Sequence, residues 1–263
     1  MNVAAALRAP AFVRGLAELS PAADRTWLLG LGLGLGLTLL AAFGPGGAAA
    51  GAFWVYAGLL ARAALYLRAG DALHGRGGAA LAGLFRCGLV AGFGELLVDG
   101  WLVHGVAHGR LVYLPPHDAV LLASPVWMPL AWACVIVELG YPALRLYARL
   151  ARRLPVVPAA LATSLVIGLA AGVTIGCYEY LADRAGWWRY APANAMLGEF
   201  CALYIPLGEA LMFLAILPVA AHALGEGRPS RAREIDAGAA FAVAIGAGYG
   251  LAYLLLEAGR PLG

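Results

Sequence analysis

Seven apolar runs set the terms for this chain, at roughly 26–43, 48–67, 79–101, 119–143, 156–181, 195–222 and 236–257. Each approaches or exceeds the ~20 residues that a helix needs to cross a hydrocarbon layer. Backbone polar groups in lipid must be satisfied within the segment, so such runs predict helices. The expected fold is all-α: a polytopic transmembrane bundle of about seven spans, with residues 1–263 forming one integral membrane domain. Composition agrees. The chain is 62% hydrophobic and 13% charged, with a mean hydropathy of +0.80, where soluble domains average about half apolar and a quarter charged.

Clear breaks separate the runs: GPGG at 44–47, RAGDALHGRGG at 68–78, YLPPHD at 113–118, RLARRLP at 149–155 and GEGRPSRARE at 225–234. All eighteen basic residues are Arg. Without Lys, a retinal Schiff base, a lysine-gated transport site and a lysine nucleophile are all excluded. Twelve Arg fall in the N-terminal segment (Arg8, Arg14, Arg25) and the loops after the second, fourth and sixth runs, against four on the opposite side. The positive-inside rule therefore predicts a multi-pass protein of the cell membrane, N-terminus cytoplasmic and C-terminus outside. Arg8, Arg14, Glu18 and Asp24 precede the first run, unlike the short basic region of a cleaved signal, so that span is expected to be retained. Cys87, Cys134, Cys177 and Cys201 lie in apolar runs without a C-x-x-C pair and read as buried small hydrophobes.

The chain also repeats itself. At an offset of 77 residues, YLPPHDAVLLASPVWMPLAWA (113–133) lies on YAPANAMLGEFCALYIPLGEA (190–210) without a gap. Tyr113 meets Tyr190, Pro115 meets Pro192, Pro129 meets Pro206, Leu130 meets Leu207 and Ala133 meets Ala210. Seven extra residues in HGVAHGR then bring Glu95 and Asp99 onto Glu179 and Asp183, an offset of 84. The third and fourth spans (79–143) and the fifth and sixth (156–222) are thus two copies of one hairpin. An offset of two spans preserves direction, so the repeat is parallel. Both acid pairs are expected at the same outer membrane level, facing Pro129 and Pro206, which are expected to open the returning helices about a third of the way in.

Carboxylates inside a membrane are costly and by default functional candidates. Glu95, Glu179 and Glu209 lie deepest; Asp99 and Asp183 stand where their helices leave the bilayer, Glu138 is placed to pair with Arg145, and Glu257 reads as interfacial. Glu-x-x-x-Asp puts both acids on one helix face. Two acids that close in a poor dielectric cannot both ionise comfortably, so one is expected to keep its proton and form an acid/base pair needing neither metal nor cofactor. Trp101, Trp127, Trp132, Tyr178, Tyr204 and Trp188 are candidate substrate-binding residues, because aromatic faces can stabilise a desolvated cation by about 0.5–2 kcal/mol each. Tyr113, Tyr180, Trp187 and Tyr190 are nearby aromatics. His104 and His108 have helical i, i+4 spacing and with His117 and Asp99 could form one metal site, but Gly105 and Gly109 suggest a loop there, so the leading expectation is a site without metal. The chain has no Asp-rich motif for magnesium diphosphate, no G-x-S-x-G elbow and no E-E-x-x-x-R.

The pairs Glu95–Asp99 and Glu179–Asp183, with VYLPP, SPVWMPLAW, RYAP and YIPLGEA, resemble small polytopic enzymes of isoprenoid metabolism: heterodimer-type lycopene cyclases, carotenoid hydratases and fungal meroterpenoid cyclases. The resemblance spans roughly residues 90–215. It implies cofactor-free protonation of an alkene or epoxide in a lipophilic isoprenoid, followed by cyclisation, isomerisation or hydration. By it, Glu95 and Glu179 would handle the proton while Asp99, Asp183 and Glu209 tune or relay. The expected partners are this substrate and the lipid bilayer, with no nucleic acid and room for an oligomer. A proton-coupled transporter or channel using the same acids as a relay is the competing expectation.

Overall fold

The computed structural model describes residues 16, 19–45, 47–73, 75–114, 119–225 and 230–259. Arg8, Arg14, Glu18, Pro115, His117, Arg228 and Arg260 lie outside them. Seven helical rods follow one another among the described residues. They are α1 (Pro21–Phe43), α2 (Gly47–Ala72), α3 (Arg76–His104), α4 (Met128–Leu150), α5 (Val156–Arg184), a sixth broken rod, and α8 (Arg231–Leu256). The sixth is α6 (Tyr204–Met212), carried through a 3-10 turn at Phe213–Ala215 into α7 (Ile216–Leu224). Among the described residues, α1, α3, α4, α5, the sixth rod and α8 are each long and apolar enough to cross a membrane. Their apolar side chains also face outward: Leu161, Leu165, Leu169 and Val173 form an exposed stripe along α5 at four-residue spacing, a surface suited to lipid. The protein is a multi-pass membrane protein.

Helix ends follow local chemistry. Ser20 caps α1 by accepting from the Ala23 amide at 3.3 Å, and Pro21 opens the first turn, where its missing N–H costs nothing. Pro129 and Pro206 do the same for α4 and α6, since both sit in a first turn. They therefore do not open the middle of a helix, as their position in the apolar runs suggests. The fourth and sixth spans begin at Met128 and Tyr204 rather than near 119 and 195, because 120–125 and 196–202 form small hairpins instead. These are β2 (Val120–Leu121) with β3 (Ser124–Pro125), and β5 (Met196–Leu197) with β6 (Cys201–Ala202). The break in the sixth rod lies at the 3-10 turn, one helix further in.

The repeat is parallel, and the structure sets its register. Gly88 and Gly92 let α3 approach α4 so closely that an added Cβ would sit 2.6 Å from the Ala133 Cα and 2.7 Å from the Pro129 Cα. Gly168 and Gly172 do the same for α5 on α6, at 2.7 Å from the Ala210 carbonyl oxygen and 2.9 Å from that of Pro206. Small residues are what let membrane helices pack backbone to backbone. Ala133 and Pro129 correspond to Ala210 and Pro206 at the offset of 77, whereas the glycine pairs correspond at 80, as do the ends of the two 29-residue helices α3 and α5. The connection after α3 is thus three residues longer than that after α5, not seven. Between the halves, β1 (Leu111–Tyr113) pairs antiparallel with its own counterpart β4 (Trp188–Tyr190), with Leu111 opposite Tyr190, Val112 opposite Arg189 and Tyr113 opposite Trp188. A strand pairing with its own copy in this way requires a local two-fold axis, here through Val112 and Arg189.

Ion pairs join several of the rods. Arg62 meets Glu138 at 2.6 Å, Arg86 grips Glu234 through two bonds of 2.7 and 2.6 Å, and Arg145 meets Asp24 at 2.6 Å. Glu138 is therefore not Arg145's partner. Glu257 is buried within the protein, accepting from the Asn194 and Ala195 amides at 2.8 and 3.1 Å and from the Asn194 side chain at 2.9 Å.

Candidate active site

Helices α3 and α5 end under the cap made by β1, β4 and the hairpins, and a cavity of about 100 Å³ lies between their last turns. Four carboxyl groups line it: Glu95 and Asp99 from α3, Glu179 from α5 and Glu209 from α6. All four are buried. No Arg or His lines the cavity, and Arg62 and Arg86, within α2 and α3, are committed elsewhere, to Glu138 and Glu234. This is the opposite of a structural ion-pair network.

Each acid has its own donors. Asp99 Oδ2 accepts from the Tyr113 hydroxyl and, at 2.6 Å, from the Ser124 hydroxyl. Glu179 Oε2 accepts from the Trp188 indole at 2.5 Å, with the Tyr190 hydroxyl also within reach. Glu209 Oε1 accepts from the Tyr249 hydroxyl at 2.5 Å. Glu95 lies against Asp99 one helical turn away and within reach of the Trp132 indole. Its Oε2, like Glu209 Oε2, is buried with no partner among the described residues. Burial first, and then the carboxylate beside it, holds the Tyr113 phenol well above the ordinary tyrosine range; Tyr190 is raised likewise by burial and Glu179. Both remain neutral hydroxyl donors.

The register corrects the expected pairing of acids. At an offset of 80, Asp99 corresponds to Glu179, and Glu95 to Ile175, which lines the same cavity. Asp99 with Tyr113 and Glu179 with Tyr190 are then the two-fold related elements, one from each half. The halves diverge at two places: Glu95 against Ile175, and Trp132 against Glu209. Asp183 is a turn too far along α5; it is partly exposed and does not line the cavity.

Of the aromatic candidates, Trp132, Tyr178 and Trp188 line the acid cavity. Trp127 does not. It packs against Trp187 and Trp188, with ring centroids 6.2 and 6.0 Å away, in an adjoining chamber. Trp101 packs edge-on to Tyr253 at 5.5 Å, and Tyr204 donates to the Gly109 carbonyl at 2.8 Å, so both serve the cap. His104 ends α3 and His108 lies in the loop beyond it. Sequence reasoning missed Ser124 and Tyr249, and it gave Tyr113 and Tyr190 no role beyond aromaticity. The one available signal was that Tyr113 and Tyr190 coincide in the repeat.

Compared with known families, residues 96–256, more than half of the chain, match a family described as "Domain of unknown function (DUF6989)". The matched stretch includes Asp99, Glu179 and Glu209, and leaves out Glu95, α1 and α2. No curated protein and no solved structure matches the chain.

Proposed function

Because the chain belongs to a family described only as a domain of unknown function, we propose its chemistry from the site itself: protonation of an alkene or epoxide in an apolar isoprenoid by a buried carboxylic acid. The observation that carries this reading is the cluster of four buried carboxyl groups in an apolar, aromatic-walled cavity with no cation among its lining residues. Asp99, holding two hydroxyl donors, is equipped to carry negative charge. Glu95, which lines the cavity and keeps one carboxyl oxygen free of any hydrogen-bond partner among the described residues, is the proton donor. The π electrons of an alkene take the proton from Glu95, forming a C–H bond, or an epoxide oxygen takes it as a C–O bond breaks to a hydroxyl group; either way a carboxylate remains at Glu95 and a carbocation forms opposite. The rings of Trp132, Tyr178 and Trp188 face that cation. Attack by another double bond closes a ring, water gives a hydrated product, and loss of a neighbouring proton to Glu179 gives a new alkene. No external electron carrier is needed.

General acids contribute about 10²–10⁴-fold, so Glu95→Gln and Glu179→Gln should each lose that much turnover while inserting and expressing normally. Product formation from a mixed isoprenoid extract, followed in membranes bearing each variant, checks this. Undiminished product from both would sink the assignment. By the Arg bias the protein sits in the cell membrane with its N-terminus cytoplasmic and the acid cavity near the outer face.

A second reading follows from the same bare oxygens. Glu95 Oε2 and Glu209 Oε2 leave acceptor positions unused, as a proton-coupled transport relay would. So small a bundle would then act as an oligomer. Flux of a solute into liposomes driven by a pH gradient favours transport, and its absence alongside product formation favours the enzyme.

A further inference from the structure

Beside the acid cavity lies a larger chamber of about 430 Å³, walled by α1, α2, α4 and α5. That volume falls within the ~300–1,000 Å³ of sites for small organic ligands. The two spaces share one partition, made of Ala131, Val135, Ile175, Tyr178 and Trp188. On the other side, Leu35 of α1 and Val173 of α5 are exposed on the surface that faces lipid, and both line the chamber. Its floor is the Arg62–Glu138 pair, whose charges are matched at 2.6 Å. Apart from that pair and the hydrogen bond of 2.5 Å between Thr38 and Tyr178, its walls are overwhelmingly apolar and aromatic.

We infer that this chamber holds the hydrocarbon chain of the substrate, drawn sideways from the bilayer between α1 and α5, with the reacting carbon at the Val135–Tyr178–Trp188 partition. The occupant is a linear, apolar chain longer than the acid cavity can contain. The acid cavity, at about 100 Å³, falls below the ~300–1,000 Å³ of sites for small organic ligands, so the rest of an isoprenoid extends into the larger space beside it. The adjoining chamber is open to lipid and matched in polarity. Tyr178 is the divider, its hydroxyl anchored to Thr38 on the chamber side and its ring forming part of both walls. The inference rests on the acid/base reading for the identity of the reacting end, but chain binding can be tested apart from it.

Bromine atoms quench indole fluorescence on contact, and Trp54, Trp127, Trp187 and Trp188 line the chamber. The full-length protein in liposomes is titrated with a terminally brominated linear polyene, and in parallel with phosphatidylcholine brominated in its acyl chains. Two variants fill the chamber. Gly58→Phe projects a ring from α2 at a position where an added Cβ makes only van der Waals contact, 3.4 Å from Leu37. Val173→Trp narrows the mouth from an exposed, lipid-facing position that packing cannot punish. The expected result is saturable quenching by the polyene, unchanged in Glu95→Gln and at least tenfold weaker in affinity in Gly58→Phe and Val173→Trp. Equal quenching by the brominated phospholipid, undisplaced by polyene, means an ordinary lipid site and overturns the inference, as does unchanged polyene affinity in Val173→Trp. Polyene binding without any turnover would leave the chamber standing and remove the acid/base reading alone. Turnover insensitive to Val173→Trp would do the reverse.

Discussion

At the scale of single residues, Asp99 and Asp183 make the sharpest contrast. Both stand four residues after a glutamate, and sequence spacing treats them alike. Only Asp99 is buried, held by Tyr113 and Ser124 in the cavity; Asp183 is not among the groups lining it. Asp183→Asn should therefore leave turnover within about twofold of wild type, whereas Asp99→Asn should cost tenfold or more, both measured as product formed per unit of inserted protein. Tyr113→Phe tests the support itself. Losing one hydrogen bond to a charged acceptor costs about 1.5–3 kcal/mol, so turnover should fall roughly ten- to a hundredfold while Ser124 still holds Asp99. The acids were legible because carboxylates are conspicuous in an oily chain. Ser124 and Tyr249 were not, because a hydroxyl in an apolar run has no meaning until folding places it against an acid.

At the scale of elements, two glycine pairs and two hairpins decide the site's geometry. Gly88 and Gly92 seat α3 on α4, as Gly168 and Gly172 seat α5 on α6. Overpacking a tight contact costs about 1–3 kcal/mol, and here the obstacle to a new side chain is backbone. Gly92→Leu should thus lower the thermal midpoint in detergent markedly. Pro129→Ala should hardly move it, since a first-turn proline leaves no carbonyl unpaired; a large loss there would restore the expectation of a kinked helix. The apolar runs located the helices well because hydropathy reads membrane spans directly. They placed the starts of α4 and α6 too early, because VLLASP and MLGEFCA are as apolar as a span yet form hairpins. The same blindness put the acid pairs at an offset of 84. Carboxylates suggested that register, whereas the backbone contacts that fix it belong to glycines.

At the scale of the whole molecule, a two-fold related pair of helical hairpins builds the acid cavity, with α8 against both. Gly238 of α8 packs on α3 at the Cys87 carbonyl, and Gly248 packs on α6 at that of Gly208. Helices α1 and α2 stand outside the matched family stretch and complete the lipid-side chamber. The halves have diverged at the cavity: Glu95 stands where the other half has Ile175, and Glu209 stands where the other half has Trp132. Membrane topology is checked by single cysteines, introduced in a background lacking the native four. A cysteine at Arg152 should react with a membrane-impermeant thiol reagent only from the cytoplasmic side, and one at Arg189 only from outside. The central claim, that Glu95 delivers the proton, which for an alkene goes to carbon, is tested most directly by isotope with an isoprenoid extract free of epoxides. Membranes bearing the protein are incubated with isoprenoid extract in deuterium oxide, and the apolar products are weighed by mass spectrometry. One deuterium per product molecule at a carbon position, absent with Glu95→Gln, is the predicted result; products free of carbon-bound deuterium, or labelled equally by the Glu95→Gln protein, would contradict it.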